Sequence, residues 1–135
     1  MTLWQPRVSR RSIGILAALA GTVSLAIGAH AALSLRALDA AKAAVASDGF
    51  EALRQIDSQA FDLVIMDIAM PGLDGIEVLS RIRSSAQHHE LPVIMLTASG
   101  DDFVREKAKR VGASAFLTKP ASSAEVLATV KSLLN

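Results

Sequence analysis

The sequence predicts an α/β protein, a doubly wound parallel sheet of five strands flanked by helices. Three observations lead there. From about residue 43, short apolar runs alternate strictly with stretches of helical periodicity, the pattern of successive βα units. In one run, "FDLVIMD" (Phe61–Asp67), the apolar residues run on without alternation, as in a strand covered on both faces. Polar residues then close three successive apolar runs: Asp67, Thr97 and Lys119. The carboxyl ends of strands are where open α/β sheets bind ligands.

Composition sets the outer limits. A chain of 135 residues holds one domain with a short extension, and its 51% apolar and 20% charged residues suffice for an ordered core. The formal net charge of +1 offers no electrostatic argument for a nucleic-acid partner. Without cysteine there is no disulfide framework, thiolate zinc site or thiol catalysis. Of three histidines, His30 stands alone and His88–His89 are adjacent. Neighbouring side chains diverge and no third ligand stands at metal spacing, so the pair is expected in a solvated polar loop.

The elements follow in order. Ala43–Ser47 reads as a short strand closed by Asp48-Gly49, and Phe50–Ile56 as a helix with Leu53 and Ile56 inward. Phe61–Asp67 is the central strand. Asp74 and Glu77 have capping-box spacing ahead of a helix whose stripe is Ile76, Leu79 and Ile82. Leu91–Ser99 is a second central strand, with Pro92 at its start, where a missing donor matters least. An amphipathic helix follows and ends at Gly112. "ASAFLTKP" is a further strand, and a last helix, opened by Ser122 and Glu125, turns Val126, Val130 and Leu133 inward.

Residues 43–135 therefore supply four βα units, and the first unit of a complete sheet is left to the N-terminal part. Residues 1–12 form a basic extension with Arg7, Arg10 and Arg11, and residues 13–42 are an atypical apolar segment; no Asp or Glu precedes Asp39. Three readings of that segment compete. It is a degenerate βα unit, with Ile13–Ala20 as strand and Val23–Ala41 as helix. Alternatively Ile13–Leu35, 23 residues without formal charge, is a membrane or signal-like helix. Its Ala, Gly and Ser content inserts weakly, and the preceding arginines would leave Asp67 outside the cell. The third reading is a misassigned start or shifted frame.

The polar trio suits phosphoryl transfer. A carboxylate attacks phosphorus to give an acyl phosphate, and the reaction otherwise needs positioning and charge neutralisation. Lys119 supplies a mobile positive charge and Thr97 a hydroxyl donor, with small Ala98 beside it.

"DLVIMDIAMPGLDGIEVLSRIR", "LPVIMLTAS", "GASAFLTKP" and "ASDGFEAL" together resemble the response-regulator (CheY-like) receiver domains of two-component and phosphorelay signalling, over about residues 43–135. The resemblance implies a flavodoxin-like fold. It implies that Asp67 is the phosphoacceptor, that Thr97 and Lys119 stabilise the phosphoryl group, and that Thr97 and Phe116 form the switch. Pro120 falls where the family often holds a cis peptide, and Ala69 where a backbone carbonyl joins the acceptor on Mg²⁺. Partners would be a histidine kinase or histidine phosphotransfer protein, and a downstream protein on about Asp102–Val111, Ala115–Leu117 and Ser122–Leu134.

One departure stands out. Receivers close their first strand with two acidic residues that hold Mg²⁺; here that pair would fall near Leu19–Ser24, where no acid occurs. Weak or absent metal binding is expected in consequence. The chain is thus expected to be a stand-alone, cytoplasmic receiver, since it stops one helix after Lys119. It would be no enzyme beyond self-catalysed phosphotransfer and autodephosphorylation. The alternative is an interaction module that keeps the fold and is not phosphorylated. A carboxyl-phosphate hydrolase is disfavoured because no second acid or base accompanies Asp67.

Overall fold

The computed structural model describes residues 13–18, 41–98 and 100–134. The strands are β1 (Ile13–Ala18), β2 (Ala41–Ala46), β3 (Leu63–Asp67), β4 (Val93–Thr97) and β5 (Ala115–Thr118). The helices are α1 (Gly49–Ser58), α2 (Gly75–Ser84), α3 (Asp102–Val111) and α4 (Ser123–Leu134). All strand pairs are parallel, in the order β2-β1-β3-β4-β5. This is the doubly wound five-stranded layout expected from the alternation of elements.

β1 runs through the sheet's interior, pairing Ile13–Ala18 with Ala41–Ala46 on one side and Ile15–Ala18 with Leu63–Met66 on the other. Asp62 fixes its start: the Gly14 N–H donates to Asp62 Oδ2 at 2.7 Å, and the Asp62 N–H donates to the Gly14 carbonyl at 2.7 Å. A membrane helix beginning at Ile13 is therefore corrected, because Ile13–Ala18 is a strand bonded on both edges. The rest of Ile13–Leu35, residues 23–40 of the helix expected over Val23–Ala41, the segment Leu19–Ser24 and residues 1–12 lie outside the described residues, while Ala41 belongs to strand β2. Among the described residues no helix is long and apolar enough to cross a membrane.

The unbroken apolar strands serve two cores at once. Leu16, Ala18, Val64, Met66, Val93 and Met95 face α1, α2 and α3, meeting Ala52, Ile56, Ile76, Leu79, Ile82 and Ala108. Ile15, Ala17, Leu63, Ile65, Ile94 and Leu96 face α4 through Val126 and Val130. Successive side chains go to opposite faces, so helices on both sides demand apolar residues at every position.

Polar residues mark the boundaries. Asp48 accepts from the Glu51 N–H at 2.8 Å and Asp74 from the Glu77 N–H at 2.9 Å. The Ser122–Glu125 box is reciprocal: each backbone N–H donates to the other side chain, at 3.3 and 3.2 Å. Arg83 binds the amino edge of the fold together. Its guanidinium donates to the carbonyls of Gly112, His89 and Leu91 at 2.9, 3.2 and 2.6 Å and to Ser114 Oγ at 3.3 Å.

The expected solvated loop at His88–His89 is half right. His89 is exposed, but His88 sits against the cleft between α1 and α2 with Nε2 3.5 Å from Asp57 Oδ1. Leu53, Ile56 and Ile82 floor that cleft, and the apolar contact draws the imidazole in.

Candidate functional site

Asp67 is the last residue of β3, a strand flanked by β1 and β4, and it is 2% exposed. A carboxylate buried there needs compensation. The Lys119 ammonium donates to Asp67 Oδ2 at 2.5 Å, and the Ala69 N–H donates to Oδ1 at 3.1 Å. Both contacts are hydrogen bonds to a charged acceptor, the stronger kind.

Backbone pairing delivers the lysine. The Lys119 N–H donates to the Thr97 carbonyl at 2.8 Å, which extends the β4–β5 ladder past Thr118. The peptide bond from Lys119 to Pro120 is cis. Thr97 ends β4 and is 3% exposed. Asp67 is level with Leu96, so Thr97 lies one position further along the adjoining strand. The structure thus joins Asp67 and Lys119 directly and sets Thr97 at the same sheet edge. Phe116, level with Met95, is partly buried against the core beneath α1, α2 and α3. Ala69 is exposed in the loop after β3.

Two supporting residues escaped the sequence reading. Gly75 opens α2, and a Cβ there would fall 2.3 Å from the Asp67 carbonyl oxygen. Only glycine lets the helix start so close to β3, with the Gly75 N–H donating to the Ile68 carbonyl at 2.8 Å. A glycine directly after the Asp74 N-cap was the available signal. Arg105 of α3 places its guanidinium 5.2 Å from the centroid of Phe116, within cation–π range. Nothing in the residue order announces that contact.

The donor set does not fit a divalent metal well. Mg²⁺ requires near-octahedral oxygen ligation, with one or two carboxylates besides phosphate oxygens and water. Asp67 already accepts from Lys119 and Ala69, and the Ala69 carbonyl is a single neutral donor. Among the described residues, no group of three or more His, Cys, Asp or Glu can hold a metal ion. Nor does any residue before Asp39 carry a carboxylate.

Residues 26–131 match the response regulator receiver domain family. The chain belongs to that family. The receiver is 42% identical over 89 residues to the alkaline phosphatase synthesis transcriptional regulatory protein PhoP of Bacillus subtilis. That alignment covers 66% of this chain and 36% of PhoP, so the receiver spans about a third of such a relative. Its fold is similar to that of chemotaxis response regulator CheY4 of Vibrio cholerae, with a TM-score of 0.80 and 29% identity over 90% of this chain and 98% of that one. It is also similar to the receiver domain of sensor histidine kinase PA1611 of Pseudomonas aeruginosa, which has a magnesium ion coordinated in its active-site cleft. There the TM-score is 0.79 and the identity 27%, over 91% and 98% of the two chains.

Membership makes this receiver a phosphorelay signalling module of two-component systems and does not favour the inert-module alternative. Receiver domains generally bind Mg²⁺ at the phosphorylation site and interact with histidine kinases or phosphotransfer proteins and with output domains.

Proposed function

We propose that Asp67 is the phosphoacceptor of this receiver and that phosphorylation there changes the binding of a partner protein. The observation that carries the reading is a buried carboxylate at the carboxyl edge of β3, held by the ammonium of Lys119. In the proposed step an Asp67 carboxylate oxygen forms a bond to phosphorus as the N–P bond of a phosphohistidine donor breaks. The electron pair of that bond returns to the imidazole. Lys119 neutralises phosphoryl oxygens, and Thr97 donates its hydroxyl to another.

The read-out proposed is local. Thr97 and Phe116 lie on the same face of adjacent strands, so a shift of the hydroxyl toward a phosphoryl group frees space into which the ring can turn. The surface that changes is then about Asp102–Val111, Ala115–Leu117 and Ser122–Leu134, to which a downstream protein binds. The donor is a histidine kinase or histidine phosphotransfer protein.

Incubation with acetyl phosphate, followed by intact-mass measurement, tests the assignment. One phosphoryl group, labile to base and to hydroxylamine as an acyl phosphate is, is expected on the native chain and none on Asp67→Asn. A label that persists in Asp67→Asn overturns it.

A further inference from the structure

We infer that the charge of the Asp67 carboxylate is already balanced where Lys119 contacts it, and that this receiver does not take up a divalent cation there. The inference deepens the reading of Asp67 as phosphoacceptor and concerns how that site is neutralised.

Charge balance comes first. In a receiver with two metal-holding acids, the pair carries two negative charges and the metal two positive ones. Losing both together leaves the net charge of the pocket unchanged. Here the acids are gone, because no Asp or Glu precedes Asp39. Among the described residues, the carboxylate of Asp67 and the ammonium of Lys119 in contact with it already neutralise one another. Adding a divalent cation would leave the pocket two charges positive.

Surroundings make that costly. Asp67 is 2% exposed, and the β1 residues beside β3, Ile15 to Ala18, are apolar and buried. An uncompensated charge in such a setting is penalised strongly. Ala18 is level with Met66, one short of Asp67.

Ligand competition points the same way. A metal needs the Asp67 oxygens that now accept from Lys119 Nζ at 2.5 Å and Ala69 N–H at 3.1 Å. In exchange it would gain the Ala69 carbonyl and water. Mg²⁺ gives up its own water reluctantly, so one shared carboxylate does not repay the displacement of an ammonium.

Two measurements on the full chain decide it. Mn²⁺, a paramagnetic stand-in for Mg²⁺, is titrated into the millimolar range while amide NMR signals are followed. The expected result is no saturable broadening at Asp67, Ile68 and Ala69. Selective broadening there that Mg²⁺ competes away overturns the inference, whatever the phosphorylation chemistry does.

The second measurement compares labelling by acetyl phosphate in EDTA and in Mg²⁺. An Asp67 oxygen bonds to phosphorus as the bond to the acetate oxygen breaks, and the electron pair leaves with acetate. Rates within about twofold of one another are expected, a barrier difference below about 0.4 kcal/mol. Labelling that needs Mg²⁺ overturns the inference and leaves Asp67 as acceptor. If neither condition gives label, the acceptor reading fails, and the Mn²⁺ titration still decides whether metal binds.

Discussion

Lys119 and Asp67, 52 positions apart in the chain, meet at 2.5 Å across the carboxyl edge of the sheet. The carboxylate is buried while the lysine side chain keeps about a third of its surface in water. That asymmetry gives the first prediction. Lys119→Met leaves the buried carboxylate without its cation and should cost about 3 kcal/mol, measured by urea unfolding at neutral pH. Adding Asp67→Asn removes the stranded charge, so the double variant should recover most of the loss. A Lys119→Met chain as stable as the parent would show that the pair contributes little.

Gly75 supplies the second. Any side chain there meets the Asp67 carbonyl at 2.3 Å, and that oxygen belongs to the residue presenting the site. Gly75→Ala should destabilise by about 1–3 kcal/mol, since either α2 or the end of β3 must shift. Labelling by acetyl phosphate should slow in the folded variant. Unchanged stability together with unchanged labelling would mean the close approach is slack.

Most of the fold was legible because helices cover both sides of the sheet. That arrangement forces apolar residues at every position of Leu63–Met66 and Val93–Leu96, and such runs identify parallel strands without any contact information. Asp67, Thr97 and Lys119 could be chosen as a group because each closes one of those runs. Ile13–Ala18 could not be assigned uniquely: a buried strand and the start of a membrane helix are both continuous apolar runs, and periodicity does not separate them. The pairing partners decide, and they lie 28 and 48 residues downstream. Arg105 and His88 were missed for the same reason, because Phe116 and Asp57 come to them only through tertiary packing.

Arg105 gives the third prediction. Its guanidinium lies over Phe116, an aromatic side chain that is only partly buried. Arg105→Ala should cost about 0.5–1 kcal/mol and move the Phe116 ring signals in NMR, while Arg105→Gln should move them nearly as far because it too lacks the charge. Ring signals that stay fixed in both variants would mean the guanidinium leaves the aromatic ring undisturbed.

Glu51 introduces a pH dependence. Hydrogen bonds from the Ser47 backbone N–H at 2.9 Å and hydroxyl at 2.8 Å hold its carboxyl below the ordinary value of 4.5. A carboxyl lowered on folding stabilises above its unfolded pKa and loses that contribution as pH falls through the folded value. Stability should therefore decline on acidification below about pH 4.5 more steeply in the parent than in Glu51→Gln. Parallel unfolding profiles for the two chains across that range would contradict this.

Arg83 carries the last prediction. It is the cation that joins α2 to three separate segments: the loop before β4, the end of α3 and the start of β5. Burial pushes its pKa below the ordinary guanidinium range, yet its four acceptors are all neutral oxygens, so shape matters more than ion pairing. A planar fork reaches the Gly112 and Leu91 carbonyls together, whereas an ammonium on a flexible stem does not. Arg83→Lys should therefore lose nearly as much stability as Arg83→Ala, about 2–3 kcal/mol from several hydrogen bonds at once. Amide exchange should accelerate at Gly112, Ala113 and Ser114, whose N–H groups bond to Ala108, Lys109 and Val93 carbonyls, and much less near Asp67 at the far edge. If Arg83→Lys keeps the parent's stability and exchange pattern, charge rather than the fork holds this edge together.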